Sequence, residues 1–219
     1  MKKRIAAAVA GLAALLFITF AAPGAPGAEA DKDKIEKSLE RGNAFALQGD
    51  YDGALSEYKK ALALDPKNAL AHNNLGIIYK RKGLYISAVE EFKAALEGLP
   101  NYFKAYNNLA NVYFDREYYD EAIKYYNKCL AIKPNFADAH WNLALAYEKT
   151  GEKTRAINHF KKFIEMSDAP AYVALAQQHI DALSVKPEES LPVEEGLTPG
   201  LTPSPEAGTA ETPGGTSGY

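Results

Sequence analysis

The chain has one cysteine in 219 residues, and its four histidines are scattered. A single thiol, Cys129, cannot close an intramolecular disulfide and leaves no cysteine set for zinc. His72 and His140 are too far apart in sequence to share a metal ion, and His159 and His179 have no Cys or acidic partner at ligand spacing. No glycine-rich phosphate loop, nucleophile elbow or metal-binding helix signature is present. These absences predict a protein that is not an enzyme, with no catalytic residues, no metal site and no cofactor. An excess of basic charge is also missing. The formal net charge is -3, and without a clustered basic face nucleic acid is not expected as a partner.

Charge and composition divide the chain into three parts. Residues 1–30 carry three bases and one acid, with Lys2, Lys3 and Arg4 preceding an unbroken apolar run at 5–20 and Ala28-Glu29-Ala30 following. That order predicts a secretory signal peptide cleaved before Asp31. The rival is a membrane anchor over 5–22, short for a bilayer core of about 30 Å. Either reading puts the rest outside the cytoplasm, periplasmic or secreted, or held at the membrane by the N-terminal segment alone; no cysteine near the cleavage region could take a lipid. Residues 31–186 hold 22 bases and 21 acids. From 185 to 219 six prolines and six glutamates leave scarcely an aliphatic run, which predicts a disordered acidic tail that links or solvates.

What the middle part has is a period. Ala54, Ala88, Ala122 and Ala156 fall at steps of 34, and Tyr58, Phe92, Tyr126 and Phe160 keep the same step. Such self-similarity predicts stacked helix-turn-helix units that bury their apolar faces only against neighbours. The units run over about 35–68, 69–102, 103–136 and 137–168, each with two helices. Gly42, Gly76, Ala110 and Ala144 on the first helices are expected to meet the alanines of the second where the paired helices cross closely. Phe45, Tyr79, Tyr113, Tyr147 and the Tyr58 row fill the surrounding space. Gly49, Gly83 and Gly151 are expected to end the first helix in a left-handed cap, with Glu117 the exception, and Pro66, Pro100 and Pro134 to close each unit. Cys129 stands where other units have Ala61 and Ala95, a small buried position. After the fourth unit Asp168 is expected to cap a helix over 169–184 opened by Pro170.

The stretches Asn74-Leu75-Gly76-Ile77-Ile78-Tyr79, Asn108-Leu109-Ala110-Asn111-Val112-Tyr113 and Asn142-Leu143-Ala144-Leu145-Ala146-Tyr147, with the downstream Ala, aromatic and Pro, resemble the tetratricopeptide repeat. The resemblance covers about 35–168 and implies an all-α, right-handed superhelix of four units plus a capping helix. It departs at the ends, where Arg41 replaces a Leu and Phe163 a small residue; terminal units of a solenoid tolerate this.

The same resemblance implies a partner protein or peptide held on the concave face of the first helices. That face would collect Asn43, Leu70, Asn73, Asn74, Ile77, Lys80, Lys104, Asn107, Asn108, Asn111, Phe114, Trp141, Asn142 and Leu145. Asn offers both a donor and an acceptor, so such rows could grip an extended peptide backbone, and Trp141 could serve as an anchor. The carboxylate clamp of chaperone-binding members is matched by Asn43, Asn74 and Lys104 but not by Leu39 and Asn108. The expected function is therefore a non-enzymatic scaffold outside the cytoplasm. The rival is a self-associating envelope component, with a monomer slightly favoured.

Overall fold

The computed structural model describes residues 26–185, with side chains from Glu29 onward. The apolar run at 5–20 and the tail from 186 lie outside the described residues. Nine α-helices and no strand occur among the described residues: α1 (Pro26–Leu47), α2 (Tyr51–Leu64), α3 (Ala69–Arg81), α4 (Tyr85–Gly98), α5 (Phe103–Asp115), α6 (Tyr119–Ile132), α7 (Ala137–Lys149), α8 (Lys153–Met166) and α9 (Pro170–Ser184). The expected cleavage site falls within α1, and no helix among the described residues is long and apolar enough to cross a membrane.

Helix ends follow the local sequence. Asp50 caps α2 by accepting from the Gly53 amide at 2.9 Å, and Asn68 caps α3 by accepting from Ala71 at 3.0 Å. Gly49, Gly83 and Gly151 take positive φ after α1, α3 and α7. Glu117 is forced into the same left-handed turn after α5, at φ 63, which strains an L side chain. At α9 the expectation is corrected. Pro170 is the first helical residue, so Ala169, not Asp168, sits at the cap and accepts from the Val173 amide.

Each unit packs its two helices antiparallel, and the second helix then packs on the first helix of the next unit. α9 stands against α8 where a fifth unit would begin, giving the all-α solenoid that the period predicts. The alanine row is fully buried, and Tyr58, Phe92, Tyr126 and Phe160 are at most 2% exposed. The small residues of the first helices meet these rings, a refinement of the expected small-against-small crossing. A Cβ added to Gly76 would lie 2.7 Å from Cε1 of Phe92, and Gly42 lies under Tyr58 in the same way. The large ring fills the space that the missing side chain leaves. Cys129 is buried, as are Ala61 and Ala95 at the matching places of the first two units, and burial pushes its thiol up to about 12.

Candidate functional site

The first helices also touch one another in order, α1 to α3, α3 to α5 and α5 to α7. This alignment builds the face on which the candidate residues were placed. Asn43 and Lys104 are exposed there, and Asn74, Ile77, Asn108, Asn111, Phe114, Asn142 and Leu145 are half-buried. Two candidates are not available. Asn73 and Asn107 are buried at 3% and 6% exposure.

The asparagines are mostly engaged with each other. Oδ1 of Asn43 accepts from the Tyr58 hydroxyl at 2.8 Å and from Nδ2 of Asn74 at 3.1 Å. Two units later Asn111 repeats the arrangement, accepting from Tyr126 at 2.6 Å and from Asn142 at 3.0 Å. At the junction between, Ile77 stands at the accepting place, and Asn108 donates instead to Asn73 at 3.0 Å. The tyrosine bonds lie within a unit, but each asparagine-to-asparagine bond joins one unit to the next, so the row is a latch between units before it is a peptide grip. What Asn43 and Asn111 still offer outward is the amide N–H₂ group.

Trp141 is engaged within the fold. It is half-buried and packs edge-on against Phe160, Phe163, Tyr172 and His179 at centroid distances of 5.4, 5.0, 6.2 and 5.9 Å. A flat indole surrounded by ring edges is a packing arrangement, and here it fixes α9 to the fourth unit. Lys80 is paired with Asp115 of α5 at 2.9 Å. Between α1 and α3 a pocket of about 330 Å³ is lined by Asn43, Ala46, Leu47, Ile77 and Arg81 among others. Sequence reasoning missed Ala46, Leu47 and Arg81, although each lies three or four residues after a candidate on the same helix face.

The histidines pair across helices, which their sequence spacing hid. His72 Nδ1 meets Glu91 at 2.6 Å, His179 Nδ1 meets Glu148 at 2.8 Å, and His140 Nδ1 meets His159 Nδ1 at 2.8 Å. His140 donates from Nε2 to the Pro134 carbonyl at 2.9 Å, so its Nδ1 must accept from His159. Burial lowers the pKa of both rings, and burial, His140 and Lys162 together bring His159 down to about 4. Among the described residues no group of three or more metal-ligating side chains occurs. Among the described residues one acid is buried. Glu57 is 6% exposed, held by Lys60 at 2.6 Å, with Oε2 unpartnered.

A family model described as TPR repeat matches residues 42–83 and 110–151, and one described as tetratricopeptide repeat matches 137–177. No curated protein matches the chain. Among solved structures, MamA is 31% identical with a TM-score of 0.57 over 65% of this chain and 84% of its own. The first TPR domain of Spaghetti (RPAP3), solved bound to the HSP90 peptide SRMEEVD, is 28% identical with a TM-score of 0.52 over 54% of this chain and 94% of its own. PilF of Pseudomonas aeruginosa, at 20% identity and a TM-score of 0.63, covers 70% of this chain and 77% of its own and shares the fold alone.

Proposed function

Because the chain belongs to the tetratricopeptide-repeat family, whose fold supports a protein-interaction role, we propose that it is an exported scaffold that holds an extended partner segment on the face of its first helices and does no chemistry of its own. The observation that carries this reading is the side-by-side alignment of α1, α3, α5 and α7. It leaves Ile77, Phe114 and Leu145 partly open on the face that also carries the outward amides of Asn43 and Asn111. Apolar side chains of a partner fit the former and its carbonyls the latter. A structural neighbour solved with a bound peptide supports a peptide segment as the kind of partner.

Site-specific photo-crosslinking tests it. A benzoylphenylalanine in place of Ile77 or Lys104 should give partner adducts in the cell envelope, while one at exposed Lys59 on α2 should not. Adducts at Lys59 alone, or none at any position, would sink the reading. Export rests on the basic start and apolar run of the sequence. N-terminal sequencing of the fractionated protein should find Asp31 first; an intact Met1 in the membrane fraction would mean an anchor, and in the cytosol would refute export.

Self-association is the second reading, and α9 favours it, since Tyr172 and Leu175 are 59% and 40% exposed on the end of the stack. A sedimentation coefficient independent of concentration would exclude it.

A further inference from the structure

The junction of the first two units provides a template for the next junction. Asp52, in the first turn of α2, holds the Lys82 ammonium just after α3 at 2.6 Å. A step of 34 carries this pair to Ile86 and Arg116. The acid is gone and the base remains. Arg116 has no ion pair among the described residues, and its guanidinium lies 5.5 Å from the centroid of the Tyr85 ring.

Neighbouring positions change in the same sense. Asp50, which caps α2, is replaced by Leu84 before α4 and Tyr118 before α6, neither of which makes a side-chain cap. Leu84, Ile86 and Tyr118 are 48%, 79% and 55% exposed. A lost cap and bare apolar surface both disfavour the isolated chain. All three residues border one groove of about 900 Å³, with Val112 and Tyr113 also in its lining. Its charged residues are Arg116, Lys93 and Glu90, an excess of one cation, and neither Lys93 nor Glu90 has an ion pair among the described residues.

We propose that this groove, bordered by α4 and the ends of α5 and α6, is a second docking surface for a partner protein segment bearing an aliphatic side chain beside a carboxylate. The incoming carboxylate replaces the one that Asp52 supplies within the chain, and pairs with Arg116. The aliphatic side chain covers Leu84 and Ile86. The surface is separate from the pocket between α1 and α3, so it stands whether or not the concave face binds anything.

The substitution Ile86→Asp tests this directly, because it rebuilds the Asp52–Lys82 arrangement in the second unit. It should fold and melt no lower than the parent. Selection of a phage-displayed random dodecapeptide library on the protein should enrich clones with Asp or Glu next to Leu, Ile, Val or Met. Amidated peptides made from those clones should bind Ile86→Asp and Arg116→Ala at least about tenfold more weakly than the parent, the loss of a charge-assisted bond with its apolar neighbour. A Leu70→Glu, Lys104→Glu variant of the concave face should bind them unchanged. Clones without an acid, clones indifferent to position 86, or no enrichment would overturn the proposal. Self-association of the parent that Ile86→Asp abolishes would assign the groove to a second copy instead.

Discussion

Asn111→Ala separates two roles for the asparagine row. If Asn111 acts only as an outward grip, truncating it leaves stability alone. In the structure its Oδ1 accepts from two donors of unequal standing. Nδ2 of Asn142 is half-exposed and can turn to water. The Tyr126 hydroxyl belongs to a side chain 1% exposed, and burial, Asp115 and Cys129 raise its pKa, so it stays a neutral donor. A buried donor left unsatisfied costs about 1–3 kcal/mol. Taking about 2 kcal/mol, and roughly 2–4 °C per kcal/mol for a domain of this size, the melting temperature should fall by about 4–8 °C.

The companion Tyr126→Phe removes the donor and leaves Asn111 bonded to Asn142, so it should cost only about 0.5–1.5 kcal/mol. In the double variant no orphan remains, and the two losses should fall short of additive by about 1 kcal/mol. Circular dichroism melts and urea titrations of the four proteins close the cycle. An Asn111→Ala melt within about 1 °C of the parent, or strict additivity, would refute a structural role for Asn111.

Glu117→Gly should stabilise the chain by about 0.5–1 kcal/mol in urea titration, since relief of the strain at φ 63 outweighs the added freedom of the unfolded chain. Ala122→Leu, at a site with no exposed surface, should destabilise by about 1–3 kcal/mol through overpacking, and an unchanged melt would show the register to be wrong. For His140 and His159 the folded pKa values lie below the ordinary 6.5, with His159 at about 4. The unfolded chain therefore binds more protons between about pH 6.5 and 4, and stability, full above that window, falls as pH drops through it. His159→Gln should flatten this part of the melting curve against pH, and an identical slope in both proteins would remove the pair as its cause.

The step of 34 made the fold legible because every unit repeats the same burial problem. Ala54 and Tyr58 solve it alone in sequence, and three further copies remove the ambiguity. The site was less legible, for a related reason. Asn43 and Asn111 could be placed on the first helices, but nothing local shows that Tyr58 and Tyr126, fifteen residues on, occupy their oxygens. The packing of Trp141 was hidden because the residues around it come from α8 and α9, and a helix without the repeat's own pattern gave no register by which to bring Tyr172 and His179 onto it.

Comparing units at one position carries the argument further than reading any unit alone. A single slot between the paired helices, defined by residues 19 apart, holds buried Ser38 and Glu57, then His72 bonded to Glu91, then Tyr106 stacked on Tyr125 at 6.5 Å, then His140 bonded to His159. The backbone tolerates four chemistries there, so helix pairing does not depend on any one of them. Ala122 and its row are invariant among the units because the crossing allows nothing larger. Function is therefore to be sought where units differ at places that could have stayed alike. The change from Asp52 to Ile86, with the base kept at Arg116, is such a difference: the salt bridge at the first junction shows that the acid was compatible with the fold, and its replacement exposes an aliphatic side chain at 79%.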